Sequence, residues 1–198
     1  KNTKSSPWGT IDHPFNPLAL ALGADATFVA RGLDRDPKQL REVLLAANKH
    51  KGTSLVEIYQ NCNVFNDGAF EPYSDKKSKD NNVLMLTEGE PLIFGTAEGK
   101  RVMVIEQGRA VAKPLEEVAE DHWWKHDSSD PYKAHLLSRL FDSAHNEGHR
   151  PRPFGVLYQE DRPIYEEELE KQFTRAVKAK GSGDLDRLLE GENHWEIH

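Results

Sequence analysis

The first sixty residues contain two apolar runs on either side of a segment with helical spacing. Residues 27–31 and 55–59 are short runs of the kind that form buried strands. The apolar residues of the segment between them recur every three or four positions, and they are Leu40, Val43, Leu44 and Ala47. A strand, a crossover helix and a strand within about 30 residues predict a parallel pair with a right-handed connection.

Two helix starts in this region carry recognisable end signals. Asn16 can cap a helix that has Pro17 at its first position, and Gly23 can end that helix. Asp36 and Pro37 give the crossover helix the same kind of start. We therefore expect a sheet covered on both faces, with a core that contains Leu20, Leu22, Phe28, Val43, Leu44 and Val56.

The pattern after residue 70 predicts a hairpin. A charged loop over residues 74–82 precedes it. Residues 91–94 and 102–105 are two apolar runs separated by a segment with Gly99 near its middle. We expect these runs to pair antiparallel with a turn at Glu98 and Gly99.

The last third of the chain is predicted to contain two helices with a strand between them. Residues 131–145 place Leu136, Leu137, Leu140 and Phe141 on one helical face, and residues 154–158 are typical of a strand. The helix over residues 164–180 starts with three glutamates and ends with lysines, which suits the helix dipole. After Gly181 the chain is polar and is expected to be loosely ordered or to wrap a partner.

Composition excludes several classes of protein. Of the 198 residues 37% are hydrophobic and 30% charged, and the net charge of -7 argues against general binding to nucleic acid. No apolar run approaches the roughly 20 residues that span a bilayer, so we expect no membrane association. The single cysteine predicts a reducing, cytoplasmic location. The start lacks both Met and a signal sequence, as a fragment or a processed product would.

The motifs of a complete active site are missing from the sequence. It has no G-x-x-x-x-G-K-[ST] loop, no G-x-G-x-x-G segment and no G-x-S-x-G elbow. It also has no C-x-x-C pair, because Cys62 is the only cysteine. The sequence therefore predicts a segment of a larger assembly instead of a self-sufficient enzyme.

Two histidine pairs have a spacing that could bind a metal. His122 and His126 lie four residues apart, as do His145 and His149. Gly148 interrupts the second pair, and neither has the glutamate of an H-E-x-x-H motif. We expect ordinary surface or packing histidines. The adjacent tryptophans at 123 and 124 are predicted to anchor a core or an interface.

The residues directly after the second strand are the strongest candidates for chemistry. Asn61, Cys62, Asn63, Asn66 and Asp67 follow within nine positions of Tyr59. The carboxyl end of a parallel strand is where α/β sheets bind ligands. Two interpretations remain from the residues themselves: a buried free cysteine beside Asx turns, or a thiolate that ligates a metal centre whose other ligands lie elsewhere.

Four segments resemble a known family in their order along the chain. They are TKSSP at residues 3–7, PFNPLALALGA at 14–24, TFVAR at 27–31 and YQNCNVFNDGAF at 59–70. They closely resemble the β subunit of 2-oxoacid:ferredoxin oxidoreductases, most strongly the 2-oxoglutarate branch. Residues 154–156 fit the C-terminal extension of that subunit more loosely.

The resemblance implies a fold, cofactors and partners. The family's β subunit has a thiamine-diphosphate-binding fold and carries a [4Fe–4S] cluster. With an α subunit, it decarboxylates a 2-oxoacid, passes electrons through the cluster to ferredoxin and gives the acyl group to coenzyme A. Cys62 matches the fourth cluster cysteine, with Asn61 and Asn63 close to the cluster. The other three cysteines and the Gly-Asp-Gly motif for the diphosphate and Mg²⁺ belong to the first half of that subunit and are absent here.

The resemblance also divides the chain and marks a lysine. Residues 1–70 match the C-terminal part of the α/β thiamine-diphosphate domain, and residues 71–198 are expected to be a subunit-contacting extension. Lys38 matches a lysine near the substrate side, where its ammonium could pair with a carboxylate; a solvated helix lysine is the other interpretation. The same enzyme class acting on pyruvate or a branched 2-oxoacid, and a non-catalytic docking module of a redox complex, are the alternative functions.

Overall fold

The computed structural model describes residues 6–9, 11–12, 14–140, 150–192 and 195. Two compact units divide the chain, Lys1–Asp161 and Arg162–His198. The elements of the first unit are, in chain order, α1 (Pro17–Gly23), β1 (Phe28–Leu33), α2 (Pro37–Lys49), β2 (Ser54–Tyr59), α3 (Glu71–Ser74), α4 (Lys79–Asn82), β3 (Val83–Met85), β4 (Ile93–Phe94), β5 (Arg101–Glu106), β6 (Arg109–Pro114), two 3₁₀ turns (Leu115–Glu117 and Glu120–His122), α5 (Pro131–Ser138) and β7 (Arg152–Gln159). The second unit contains α6 (Tyr165–Lys180) and α7 (Leu185–Glu190).

The predicted β-α-β unit is confirmed. β1 and β2 pair in parallel, with Val29 opposite Leu55, and α2 connects them. Both predicted helix starts form as expected: the Asn16 side chain accepts a hydrogen bond from the backbone of Ala19, and that of Asp36 from Gln39, each at 3.1 Å. These side chains satisfy backbone N–H groups that have no partner inside the helix.

The strand predicted near residues 154–158 lies in the same sheet as the β-α-β unit. The sheet order is β2-β1-β7-β3, in which β7 runs antiparallel to β1 and parallel to β3. The sheet is therefore mixed, whereas the sequence predicted a parallel one. A register shift between Val29 and Ala30 accommodates the antiparallel neighbour.

The second sheet contains the predicted hairpin and one strand more. β4 pairs antiparallel with β5, with Ile93 opposite Val102, as expected. β5 then turns at Gln107 and Gly108 and pairs with β6, a second hairpin that the sequence analysis missed. The segment predicted as a charged loop over 74–82 contains the helical turn α4 instead.

The main core lies between the two sheets and beneath α1 and α5. Its buried side chains include Leu18, Leu22, Val29, Leu84, Leu92, Met103, Trp124, Leu137 and Leu157. On the opposite face of β1, Phe28 and Ala30 pack against Val43 of α2. β1 is thus covered on both faces, and all of its residues are buried.

Three of the six predicted core residues are placed differently from the prediction. Leu22, Phe28 and Val43 are buried as expected. Leu20 and Leu44 are exposed, at 60% and 44%, because each points away from the face through which its helix contacts the sheet. Val56 is only partly buried, because β2 is an edge strand of the sheet.

Both predicted C-terminal helices are present, but α5 ends at Ser138 with Arg139 as its C-cap, shorter than the predicted range 131–145, of which residues 141–145 lie outside the described residues. α5 buries Leu137, and the prediction for Phe141 lies outside the described part of the chain. α6 has the predicted bounds almost to the residue, and α7 adds a short helix within the polar tail. Because β3 and β7 share a sheet with β1 and β2, strands from both sides of residue 70 are joined, and the domain boundary at that residue stays a prediction.

Candidate functional site

The loop that follows β2 is a closed turn with Cys62 at its start. The backbone N–H of Asn66 donates to the carbonyl of Cys62 at 3.0 Å, and the two residues form an isolated β-bridge. Cys62 itself is partly exposed and forms no disulfide. The loop begins at the carboxyl end of a parallel strand, the position that the sequence predicted.

Backbone N–H groups of the loop lower the pKa of the Cys62 thiol. Those of Phe65, Val64 and Asn66 all favour the thiolate, with Phe65 contributing most, and together they hold the pKa of the Cys62 thiol below its usual value. A thiolate is the form that binds metals. Hydrogen bonds to a ligating sulfur are also a main control of iron–sulfur potentials. The Cys62 environment therefore fits a metal-ligating thiolate.

Asn61 holds the loop together. Its amide nitrogen donates to Oδ1 of Asn63 and to Oδ1 of Asp67, both at 2.8 Å, and its oxygen accepts from the backbone of Gly68 at 2.9 Å. An amide has only two N–H donors, so both are used within the loop. The sequence suggested that Asn61 and Asn63 are close to a cluster; in the structure Asn61 shapes the turn that presents Cys62.

Gly68 is required at the end of this network. Its φ of +73° lies in the left-handed region, which side chains with a Cβ rarely adopt. A Cβ at this position would also lie 3.3 Å from the carboxylate of Glu71. The hydrogen bond to Asn61 therefore depends on a glycine here.

Asp34 connects the end of β1 to the Cys62 loop, a role that sequence analysis missed. Its backbone N–H donates to the carbonyl of Tyr59 at 3.1 Å, and its Oδ2 accepts from the backbone of Asn61 at 3.4 Å. Its Oδ1 is buried and has no hydrogen-bond partner within the described residues. A signal was available, since Asp34 is the first residue after a parallel strand.

A buried ion pair and a group of stacked aromatic rings pack beside the two ends of the Cys62 loop. Arg31 is fully buried; its Nε donates to Glu57 Oε2 at 2.7 Å and its Nη1 to the carbonyl of Pro153 at 3.1 Å. The Tyr59 ring stacks on Phe70 with centroids 4.4 Å apart, and the Arg31 guanidinium lies 5.0 Å from the Tyr59 centroid. Burial raises the pKa of the Tyr59 hydroxyl, so the ring stays neutral. The start and end of the loop are thus attached to a rigid base.

Lys38 lies exposed in the first turn of α2. The first turn contains no acidic residue, and Lys38 makes no ion pair within the described part of the chain. Helix N-termini carry a partial positive charge, so an ammonium placed there favours an anion. Nothing in the structure brings Lys38 into the Cys62 loop, and its catalytic role stays a prediction.

A cavity of about 260 Å³ opens beside the carboxyl end of β1. Its apolar wall is formed by Leu33, Val83, Met85, Ile93 and Phe154, and its polar rim by Asp36, Gln39, Lys79 and Asp80. Gln39 is oriented by the end of β1, because its side chain donates to the carbonyl of Arg31 and accepts from the N–H of Leu33. This edge of the sheet therefore combines the Cys62 loop with a pre-formed cleft.

The histidine pair at 122 and 126 does not form a site. His122 is exposed, with Nδ1 3.1 Å from Asp121, while His126 is buried with Nε2 2.8 Å from the carbonyl of Val156. Trp124 is a core residue, in agreement with the predicted anchor. The pair at 145 and 149 lies outside the described residues. Within the described residues, no three His, Cys, Asp or Glu side chains form a metal-binding group, and no helix is long and apolar enough to cross a bilayer.

Comparison with curated proteins finds similar β subunits. The 2-oxoglutarate oxidoreductase subunit KorB of Mycobacterium tuberculosis is 42% identical over 201 residues, which cover 100% of this chain and 52% of that protein. The 2-oxoacid:ferredoxin oxidoreductase subunit beta of Saccharolobus solfataricus is 43% identical over 75 residues, 38% of this chain and 25% of that protein. The 2-oxoglutarate synthase subunit KorB of Archaeoglobus fulgidus is 37% identical over 60 residues, 30% and 22% respectively. No protein-family model matches the chain.

A solved structure has a similar fold. The 2-oxoglutarate:ferredoxin oxidoreductase from Magnetococcus marinus, with 2-oxoglutarate, coenzyme A and succinyl-CoA bound, matches 96% of this chain and 48% of that chain. The TM-score is 0.60 at 22% identity, a likeness of fold. The predicted α/β class and the resemblance to the 2-oxoglutarate branch are confirmed. The chain spans about half the length of the full-length relative that it matches, as the 52% coverage shows.

Proposed function

We propose that this chain, a homologue of 2-oxoglutarate:ferredoxin oxidoreductase β subunits, forms part of an enzyme that oxidatively decarboxylates 2-oxoglutarate to its acyl-coenzyme A. In that enzyme it pairs with an α subunit and helps pass electrons to ferredoxin in the cytoplasm. The observation that carries the proposal is Cys62, a partly exposed thiol at the end of a parallel strand, in a loop whose backbone N–H groups lower its pKa. The whole-chain similarity to KorB supports the same assignment.

Cys62 is proposed to be one of four thiolate ligands of a [4Fe–4S] cluster. Such a cluster supplies one-electron transfer when it is bound. The role of this chain is to keep the sulfur deprotonated and correctly placed. The backbone N–H groups of Phe65, Val64 and Asn66 favour the thiolate, and the hydrogen bonds of Asn61 fix the turn. Asn63 contributes by accepting from Asn61, as an orienting residue behind the ligand.

Thiamine diphosphate and Mg²⁺ are proposed to bind mainly to residues outside this sequence. The Gly-Asp-Gly motif for the diphosphate is not present in it. This chain supplies the edge of the sheet beside which the cofactor would lie, with Lys38 as an exposed cation. We propose that the Lys38 ammonium pairs with a carboxylate of the 2-oxoacid, since Lys38 is exposed in the first turn of α2 and the carboxylate of the capping Asp36 is already bonded to the backbone of Gln39.

The 2-oxoglutarate preference is supported by the relatives. Two of them are named for 2-oxoglutarate, and the solved neighbour contains it. The Saccharolobus relative is named only for a 2-oxoacid, so pyruvate or a branched 2-oxoacid is the second candidate. Turnover of the assembled enzyme on 2-oxoglutarate, pyruvate and 2-oxoisovalerate, compared as kcat/KM, distinguishes them.

The ligand assignment is tested with Cys62→Ser in the complete complex. We expect loss of stoichiometric iron, or a shifted cluster potential, and slower reduction of ferredoxin. Val64→Ala is the matched control, because that side chain is exposed on the same loop while its backbone N–H is kept. If Cys62→Ser retains an intact cluster and normal ferredoxin reduction, the ligand assignment is wrong. A colourless complex without iron in the unmodified protein would instead support a non-catalytic docking module.

The substrate-side charge is tested with Lys38→Ala. We expect turnover to fall at least about tenfold with the iron content unchanged, because a displaced binding charge affects the chemistry and not the cluster. Arg41→Ala, an exposed cation one turn further along α2, is the matched control. Kinetics within about twofold of the unmodified enzyme would make Lys38 a solvated helix lysine.

A further inference from the structure

Asp34 lies where the ends of β1 and β2 meet the Cys62 loop. It is the first residue after β1, and its backbone N–H donates to the carbonyl of Tyr59, the last residue of β2, at 3.1 Å. Its Oδ2 accepts from the backbone N–H of Asn61 at 3.4 Å. Because Asn61 directly precedes Cys62, bond lengths alone keep the carboxylate within roughly 11 Å of the sulfur. A side chain at the end of one strand therefore lies close to the proposed ligand at the end of the next.

The second oxygen of the Asp34 carboxylate is unpaired. Oδ1 is buried, and no group among the described residues donates a hydrogen bond to it. Buried polar atoms nearly always have a partner, and burying part of a charged carboxylate costs more than burying part of a neutral amide. An asparagine at this position would offer the Asn61 N–H the same kind of acceptor without a charge. The contact with Asn61 therefore explains an acceptor at position 34, but it does not explain a carboxylate.

The Cys62 loop favours negative charge on the sulfur. The backbone N–H groups of Phe65, Val64 and Asn66 lower the pKa of the Cys62 thiol. Hydrogen bonds and net charge around a cluster set its reduction potential, and donors that favour extra negative charge raise it. A centre that passes electrons to ferredoxin needs a low potential. A fixed negative charge beside the ligand lowers the potential, because reduction adds an electron that this charge repels.

We propose that Asp34 is a positioning residue whose carboxylate charge lowers the reduction potential of the cluster that Cys62 ligates. The inference rests on the proposed function, since it requires Cys62 to be a cluster ligand. Asp34 is not itself a ligand; it holds the backbone of Asn61 and acts on the cluster through its charge. Asp67 is another carboxylate of the loop, but its exposed side chain is screened by water more than the buried oxygen of Asp34 is.

The midpoint potential of the cluster in the complete complex tests the effect of the charge. Asp34→Asn keeps an acceptor for the Asn61 N–H and removes the charge. We expect a less negative potential, slower reduction of ferredoxin and an unchanged iron content. A redox titration, monitored by electron paramagnetic resonance of the reduced cluster, measures the shift.

Asp25→Asn is the matched control for that measurement. It removes the same charge from an exposed position before β1, at the far end of the strand. The six residues of β1 separate the two sites by roughly 20 Å, at about 3.3 Å per residue. The backbone of Asp25 has a φ of +58°, which asparagine also adopts readily. We expect the potential of the Asp25→Asn complex to stay close to that of the unmodified complex.

The urea unfolding midpoint of the 198-residue chain tests the cost of the charge without any cluster. We expect Asp34→Asn to leave the midpoint unchanged or to raise it, because the partly buried, unpaired charge is removed. Asp34→Ala also removes the acceptor for the Asn61 N–H, so its midpoint should lie below that of Asp34→Asn. A clearly lower midpoint in Asp34→Asn than in the unmodified chain would make the carboxylate a structural group and would overturn the proposal.

The results in the complex separate this inference from the function on which it rests. If Asp34→Asn keeps its iron and has the same potential as Asp25→Asn, the role of Asp34 is refuted while the cluster assignment stands. Loss of iron in Asp34→Asn would show that the carboxylate holds the loop together, and this result would also overturn the role in tuning the potential. An unmodified complex without iron would refute the proposed function itself.

Discussion

Strand β1 and helix α6 differ in how far their apolar side chains are buried. Every residue of β1 is buried, between α2 on one face and the main core on the other. α6 has no buried residue within the described part of the chain, and its Tyr165, Phe173 and Val177 side chains are more than half exposed. The difference indicates that the first unit owes its stability to internal packing, whereas α6 contributes little buried apolar surface.

The largest expected effect is a core truncation in the first unit. Phe28→Ala removes a fully buried ring that packs against Val43 and should lower the free energy of unfolding by about 3–5 kcal/mol. Urea denaturation, monitored by near-UV circular dichroism, measures this loss of unfolding free energy. A loss below about 1 kcal/mol would show that β1 is not the centre of this unit.

A charge on the edge strand should cost less. Val56 packs against the Phe28 cluster but remains partly exposed on β2, so Val56→Asp can keep its carboxylate near water. We expect Val56→Asp to lower the free energy of unfolding by about 1–3 kcal/mol. This is less than the loss expected for a residue fully buried between two covered faces of the sheet. Ile58→Asp, at a position already 42% exposed, is the control and should be milder. Equal effects of the two substitutions would contradict this edge assignment.

His126 should make the first unit sensitive to acid. Burial lowers the pKa of its imidazole, Nε2 donates to the carbonyl of Val156, and Nδ1 is buried with no hydrogen-bond partner among the residues that the structure describes. The unfolded chain therefore binds the proton more tightly than the folded one. The stabilising contribution is complete above the ordinary pKa of 6.5 and is lost as the pH falls from there towards the lowered folded value.

The measurement is the free energy of unfolding between pH 7.5 and 5. Each unit by which folding lowers a pKa corresponds to about 1.4 kcal/mol. His126→Gln should flatten the profile, since an amide can still donate to Val156 but does not titrate. His122→Gln, at an exposed position, should leave the slope unchanged. An unaltered slope in His126→Gln would assign the acid sensitivity to other groups.

The smallest expected effect is the matching truncation in the second unit. Phe173→Ala removes the same ring as Phe28→Ala, but from a position that is 63% exposed. We expect the free energy of unfolding to change by no more than about 0.5 kcal/mol. A loss comparable to that of Phe28→Ala would mean that α6 packs internally, which would remove the contrast between the two regions.

Local signals along the sequence were sufficient for the β-α-β unit. Asn16 and Asp36 cap the helices as their side-chain chemistry predicts, and the crossover makes β1 and β2 parallel. The position of the Cys62 loop followed from the same reasoning, because a strand end and the segment after it are adjacent in sequence. These features depend on interactions between residues that are close along the chain.

Long-range pairing could not be predicted from such signals. Residues 154–158 were identified as a strand, but their antiparallel place beside β1 depends on contacts more than a hundred residues apart. The hairpin of β5 and β6 was missed, since Arg109–Pro114 is only weakly apolar. Leu20 and Leu44 were assigned to the core because composition does not reveal which side of a short helix contacts the sheet.

The sequence by itself determined the helix caps and the parallel strand pair. It also identified Cys62 as the cysteine that resembles a cluster ligand of the family's β subunits. Only the tertiary structure decided the surroundings of that cysteine: the backbone N–H groups of Phe65, Val64 and Asn66 lower the pKa of its thiol, and Asp34 reaches the loop from the neighbouring strand. The physical reason is that capping and hydrophobic periodicity are local, whereas the orientation of a backbone N–H and the contact between two strand ends depend on the whole packed sheet.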